Sequence, residues 1–382
     1  MVLLKILFFV SIVTLGYVYV GYPILVFLIA KLKNKKVRKG VFQPYISILI
    51  AAYNEEDHIE ETIRNKIALD YPKETMEIIV VSDGSTDRTE DIVRKYESQG
   101  VKLLRQIPRS GKTKALNMAV PQASGEILVF SDANSIYDGD TIRMLMRNFT
   151  DPSVGYVTGK MIYTNPDRTA IGDGCTTYMK YENFLRYYET QLGSIVGVDG
   201  GVDAVRKQLY QTMNPDQLPD FVLPLKVVEQ GFRVVYEPGA ILREASLNRS
   251  QEEYRMRVRV SLRSLWALWD MRQILSFKKL KLFAWQLWSH KALRYFCFLF
   301  LIGAYFFNMA LWPEGGFYQV FFLMQNGAYV GALIALILER CGLKSSVLYV
   351  LSYFVLLNLA SAQAFMKFIL SQKRVMWEPR KG

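Results

Sequence analysis

Residues Val2 to Ala30 are apolar almost without interruption, broken by Lys5 and a Gly/Tyr/Pro patch from Gly16 to Pro23. The run is too long for a signal-peptide core and predicts one membrane-crossing helix over 1–31. The pattern then becomes short. Strand-like runs at Tyr45–Ala52, Met76–Val81, Val101–Leu104 and Ile127–Phe130 alternate with helical patterns at Ile59–Ile67, Asp87–Tyr96 and Ala115–Val120. Further strands are expected at Val154–Lys160, Val202–Arg206 and Arg233–Tyr236. Helices are expected at Tyr178–Leu192 and from Asp220, as cap, to Gly231. Such alternation predicts an α/β domain over 44–245, a mostly parallel sheet with helices on both faces. From Glu252 the chain mixes Arg255, Arg257, Arg259 and Arg263 with Trp266 and Trp269, and the mixture continues to Lys291. This predicts amphipathic helices lying in a membrane interface over 250–291. Tyr295–Trp312, Phe317–Leu338 and Val347–Leu370 predict about three C-terminal transmembrane helices within 292–371, before a tail at 372–382.

Charge changes the picture at two places. The chain has 382 residues and a formal net charge of +12, which by itself allows nucleic acid as a partner. The distribution excludes that reading: Lys31, Lys33, Lys35, Lys36, Arg38 and Lys39 directly follow the first apolar run with no acid among them. That is the positive-inside flank of an anchor, so a multi-pass protein of the inner or plasma membrane with a cytosolic domain is expected. One crossing before the domain and three after it would leave Lys373, Arg374, Arg380 and Lys381 on the outer side. Either one apolar run does not span, or the tail overrides the charge bias. Cys175, Cys297 and Cys341 are isolated, and His58 and His290 are the only histidines, which excludes a cysteine- or histidine-built metal site.

Candidate chemistry gathers at the strand ends. Asp83 and Asp132 each follow an expected strand of one sheet, and the carboxyl edge of such a sheet binds ligands. Carboxylates there can hold Mg²⁺ or Mn²⁺ together with substrate phosphates, or hydrogen-bond a ribose. The alternative is that each acid caps the next helix, the role expected of Asp87. Arg109-Ser-Gly-Lys-Thr-Lys114 adds a basic loop, although its glycine spacing is not that of a Walker P-loop.

Four ordered blocks, Tyr45–Glu56, Ser82–Asp87, Arg109–Asn117 and Phe130–Ser135, resemble those of the inverting glycosyltransferase family 2. That family has a GT-A fold, and its membrane-embedded branch includes cellulose, chitin, hyaluronan and poly-N-acetylglucosamine synthases. The resemblance covers about Tyr45 to Arg272. It implies a UDP-sugar donor, Mg²⁺ or Mn²⁺, and a growing glycan or lipid-linked acceptor. It further implies donor contacts from Ala52, Tyr53, Glu55, Asp83, Lys112 and Asp132, with Asp132 and Asn134 as the metal motif. Asn134 stands where a second Asp is usual. Asp220 matches the catalytic base, with Pro219 where another acid is usual, and Asp199, Gly200 and Gly201 match the acceptor-side turn. Of the Q-x-x-R-W block only Arg259 is retained, within Met256-Arg-Val-Arg259-Val260, and the resemblance adds Arg259 to the implied donor contacts. The expected activity is therefore sugar transfer to a cell-surface polysaccharide or lipid-linked glycan. Single transfer to a glycolipid, or a non-catalytic nucleotide-sensing subunit of an export complex, are the alternatives.

Overall fold

In a computed structural model, residues 1–164, 170–245, 250–340 and 346–373 are described, apart from the side chains of 170–175, 339–340 and 346–347. Cys341, Arg374, Arg380 and Lys381 lie outside the described residues. The chain divides into two compact units, one drawn from residues 1–28, 170–181 and 250–373, the other from 29–164 and 182–245.

In chain order the helices are α1 (Val2–Gly16), α2 (Tyr22–Lys33), α3 (Ile59–Ile67), α4 (Thr89–Arg94), α5 (Lys112–Gln122) and α6 (Thr141–Met146). They continue with α7 (Ala170–Leu192), α8 (Pro219–Glu229), α9 (Ser250–Asp270), α10 (Phe277–Leu287), α11 (Leu293–Ala310), α12 (Gly316–Arg340) and α13 (Ser346–Ile369). The strands are β1 (Ile46–Ala52), β2 (Met76–Ser82), β3 (Val101–Arg105), β4 (Ile127–Asp132), β5 (Ile136–Tyr137), β6 (Val154–Thr164), β7 (Asp203–Arg206) and β8 (Arg233–Ala245).

The strands form one sheet in the order β3-β2-β1-β4-β7-β6-β8-β5. Strands β3, β2, β1 and β4 are parallel, and β1 is buried along its whole length, as the unbroken run Ile46-Ser-Ile-Leu-Ile-Ala-Ala52 requires of a strand covered on both faces. β7 pairs antiparallel to both β4 and β6, so the sheet is mixed beyond β4. β8 runs far past the expected Tyr236. Pro238 and Gly239 read as a terminator, but they are absorbed in a bulge: Thr158 pairs with Tyr236 and Lys160 with Ile241. The resumed strand pairs with β5, a two-residue bridge too short to carry a pattern.

In the helical unit the Gly/Tyr/Pro patch of the first apolar run does not end the helix. It forms a π-helical turn, Tyr17–Gly21, between α1 and α2. A second π-turn, Trp288–Ala292, joins α10 to α11, and Tyr17 hydroxyl lies 2.6 Å from Ser289 Oγ. α1 and α11 are antiparallel: Gly303 is set so that a side chain there would press on Ser11 Oγ at 3.0 Å, and the Tyr22 ring faces His290. Among the described residues, four helices are long and apolar enough to cross a membrane: Val2–Lys33, Phe277–Ala310, Gly316–Leu338 and Leu348–Ile369.

Candidate active site

Parallel pairing aligns the strand ends. Ala51 pairs with Asp132 and Ala52 with Ser82, so β1, β2 and β4 finish on one edge with Asp83 and Asp132 flanking the β1 exit. The two acids then differ. Asp83 is fully buried and organises the basic loop: its carboxylate accepts from Gln106 Nε2 at 2.5 Å, Ser110 N at 2.7 Å and Gly111 N at 2.9 Å. Its backbone N–H donates to Ala52 O at 2.8 Å. Arg109 closes the loop over Tyr53, with its guanidinium 3.4 Å from the ring centroid. Asn54, with φ of 53°, accepts from Thr86 N at 2.8 Å and ties the β1 exit to the β2 exit.

Asp132 is one-third exposed and receives Lys112 Nζ at 2.5 Å on Oδ1; the same ammonium lies 3.9 Å from Asp220 Oδ1. Burial opposes the charge on Lys112, but Asp132 and Asp220 outweigh it and hold the amine protonated well above the ordinary lysine range. Lys112 and Asp220 come together because α5 carries the segment before α8. Thr113 Oγ1 donates to Gln217 O at 2.8 Å, and Asn117 bonds Met213 O at 2.7 Å and Tyr210 hydroxyl at 2.7 Å. Asp220 is not the cap of α8 as expected. Leu218 occupies that position, Pro219 opens the helix, and Asp220 stands in the first turn, where the helix dipole favours a carboxylate.

The Gly200–Gly201 turn lies against both acids. A Cβ on Gly200 (φ +90°) would fall 2.6 Å from Asp220 Oδ2, and one on Gly201 would fall 3.7 Å from Asp132 Oδ2. Asp199 does different work: its carboxylate forms a buried ion pair with Arg186 at 2.5 Å and accepts from Met161 N at 3.1 Å, holding the turn in place. Arg259, expected among the donor contacts, is carried by α9 in the helical unit.

Several buried polar groups around this edge had no signature in the sequence. From beneath, α3 fastens the turn after Asp132: Thr62 Oγ1 donates to Ala133 O and Lys66 Nζ to Ser135 O, each at 2.6 Å. Burial pushes the Lys66 amine well below the ordinary lysine range, with only Asp132 opposing. Glu244 on β8 accepts from Asn134 Nδ2 at 3.3 Å. Glu55, buried and 3.2 Å from His58 Nδ1, is pushed up to about 8, first by burial and then by Asp132, Asp87 and Glu244. Asp203 on β7, 1% exposed, is also pushed up to about 8, chiefly by burial.

Among the described residues no group of three or more His, Cys, Asp or Glu side chains converges to hold a metal. The Asp132 carboxylate and the Asn134 amide oxygen nevertheless fit Mg²⁺ or Mn²⁺, hard cations commonly held by one or two protein oxygens plus substrate phosphates. The crowding of acids that raises Glu55 is what a divalent cation relieves.

Residues 47–211 match the family described as "Glycosyl transferase family 2". A stretch of 202 residues is 30% identical to the "Poly-beta-1,6-N-acetyl-D-glucosamine synthase" of Staphylococcus aureus (strain MSSA476), covering 51% of this chain and 48% of that protein. The chain thus spans about half the length of such curated relatives. It is 26% identical over 330 residues to the "Probable glycosyltransferase YdaM" of Bacillus subtilis (strain 168), covering 82% of this chain and 73% of that one. Among solved structures, the mannosyltransferase PcManGT from Pyrobaculum calidifontis, in complex with GDP-Man and Mn²⁺, shares the fold with a TM-score of 0.72. It is 23% identical and covers 96% of this chain and 99% of that one. The match over residues 47–211 thus marks a glycosyl transferase family 2 domain, built on a GT-A-like mixed sheet with acids at its parallel edge.

Proposed function

We propose that the protein is a membrane-integrated inverting transferase that moves a sugar from a UDP-sugar to a growing cell-surface polysaccharide or lipid-linked glycan, its catalytic domain on the cytosolic side. The observation that carries this reading is the convergence of Asp132, Lys112 and Asp220 on the Gly200–Gly201 turn. Asp220 takes the proton of the acceptor hydroxyl as its oxygen attacks the anomeric carbon. The bond from that carbon to the diphosphate breaks on the opposite face, and the electron pair leaves with the nucleoside diphosphate. Lys112, held protonated, meets the developing charge on the diphosphate. Asp132 and Asn134 would hold Mg²⁺ or Mn²⁺, which supplies further charge neutralisation at the leaving group. Glu55, whose carboxyl burial pushes up to about 8 before any cation is bound, can hydrogen-bond the ribose, and Ala52 and Tyr53 line the same loop. Asp83 acts on the nucleotide side through the loop it fastens, and Gly200 and Gly201 leave room for the acceptor beside Asp220. Asp199 holds that turn.

A second reading, single transfer to a lipid-linked acceptor, has its own support. Val260 stands where processive synthases carry an acceptor-stacking tryptophan. Trp266 is engaged elsewhere: its indole N–H donates to Gln372 O at 2.9 Å and its ring packs on Phe368.

Purified full-length protein supplied with Mn²⁺, a panel of UDP- and GDP-sugars and a native membrane extract should release nucleoside diphosphate from one donor. Asp220→Asn should abolish release while nucleotide binding persists. Absence of turnover with every donor would overturn the enzyme reading. Product length then separates polymer from single transfer.

A further inference from the structure

The helical unit fixes its own levels. At one end of the bundle Lys5 pairs with Glu314 at 2.7 Å and Phe8 packs on Phe317 and Phe321. At the other end, Tyr22 meets Trp285 and His290. α12 returns antiparallel to α11, with Asn326 and Phe322 beside Tyr305 and Gln325 Nε2 reaching Leu301 O at 3.5 Å.

α13 does not follow this axis. Its Leu348 and Leu351 pack on Gly331 of α12. Phe354 lies 5.2 Å from the Tyr19 ring, whose hydroxyl meets both Cys297 and Asn358. Phe365 packs on Phe296 and Phe298 at 5.4 and 5.7 Å. Positions 354, 358 and 365 therefore meet the Tyr17–Gly21 turn and α11 at one level, that of residues 296–298. A crossing helix would climb about 16 Å between Phe354 and Phe365.

What α13 does follow is α9, side by side and in the same direction. Tyr353 hydroxyl bonds Glu253 at 2.9 Å and Arg257 at 2.7 Å; Ala364 packs with Leu262 and Leu265; Phe368 and Gln372 meet Trp266. α9 carries Glu252, Glu253, Arg255, Arg257, Arg259 and Arg263, a charge load that keeps a helix out of hydrocarbon and at the water interface.

We propose that α13 is not a fourth crossing but the lipid-facing half of an in-plane helix pair. With α9 it forms an interaction surface whose partner is the leaflet on the side of the Lys31–Lys39 flank. Its exposed residues Leu359, Met366 and Ile369 enter the headgroup–acyl boundary, and Tyr353, Asn358 and Ala364 face protein. The chain then crosses three times, and the basic C-terminal tail lies on the side that the charge rule demands.

Two measurements on the full-length chain test this, with native cysteines replaced by alanine. A cysteine appended after Gly382 and Gly315→Cys, in the turn between α11 and α12, should react with impermeant maleimide from opposite sides of the membrane. Nitroxides at Ser352, Leu359 and Met366, seven residues apart on one helical face, should report one depth within a few ångströms, whereas a crossing helix separates the outer two by about 21 Å. Labelling of both cysteines from the same side, or a depth gradient along α13, overturns the proposal. If cysteine replacement disrupts folding, a fluorescent-protein fusion after Gly382 of the native chain reads the same topology: fluorescence supports the proposal and its loss at full expression overturns it.

Discussion

Asp203 is the most informative single group to remove. It sits on β7 between Phe130 of β4 and Thr158 of β6, its side chain 1% exposed. The hydroxyls of Tyr156 and Thr158 lie beside it and favour its charge, yet neither completes a well-formed hydrogen bond to either oxygen. Burial, reinforced by Asp220 and Asp199, lifts the acid from 3.8 to about 8. The folded protein therefore keeps a proton that the unfolded chain releases, and stability falls as pH rises from about 4 to about 8. At 1.36 kcal/mol for each pH unit the full penalty is ~6 kcal/mol, and the part between pH 5 and pH 8 is ~4 kcal/mol. Asp203→Asn removes the titration. Any cost of burying the amide is the same at every pH, so it cancels in the comparison. Thermal unfolding in detergent should show the variant's melting temperature gaining on the parent's by roughly 8 °C or more between pH 5 and pH 8. An equal difference at both pH values would mean that Asp203 is ionised throughout, and the reasoning from its burial would fail.

Gly200→Ala puts a Cβ into the Asp220 carboxylate at a positive φ, so kcat should fall at least 100-fold with nucleotide binding retained; unchanged kcat would remove Asp220 from the chemistry. Arg186→Gln leaves Asp199 buried without its partner and should cost about 3–5 kcal/mol in unfolding free energy, part of which Asp199→Asn in the same chain recovers. Glu244 receives the Asn134 amide N–H and so turns the amide oxygen away from itself. Glu244→Gln frees the amide to flip and should weaken Mn²⁺ binding, followed by calorimetry with UDP present, by about tenfold.

The parallel half of the sheet was legible because each strand is a short apolar run that stops at an acid or a turn residue, as at Ser82-Asp83-Gly84 and Phe130-Ser131-Asp132. The same punctuation misled at Pro238-Gly239, where a terminator in the sequence is a bulge in the sheet. Local sequence cannot reveal that β6 sets Gly159 opposite the bulge, leaving space for the Ala240 carbonyl. The site divides the same way. Asp132, Lys112 and Asp220 follow strand ends or open helices, positions with a pattern. Lys66, Asp203 and Glu244 are lone polar residues inside apolar surroundings, and only their partners, dozens of residues away, give them a role. Asp199 illustrates the limit best. Its neighbours Gly200 and Gly201 marked it for the acceptor, but a carboxylate is committed by the cation that reaches it, and Arg186 arrives from a helix of another unbroken pattern. Chemistry carried at element ends can therefore be read from one sequence. Chemistry carried by buried pairs needs the fold that brings them together.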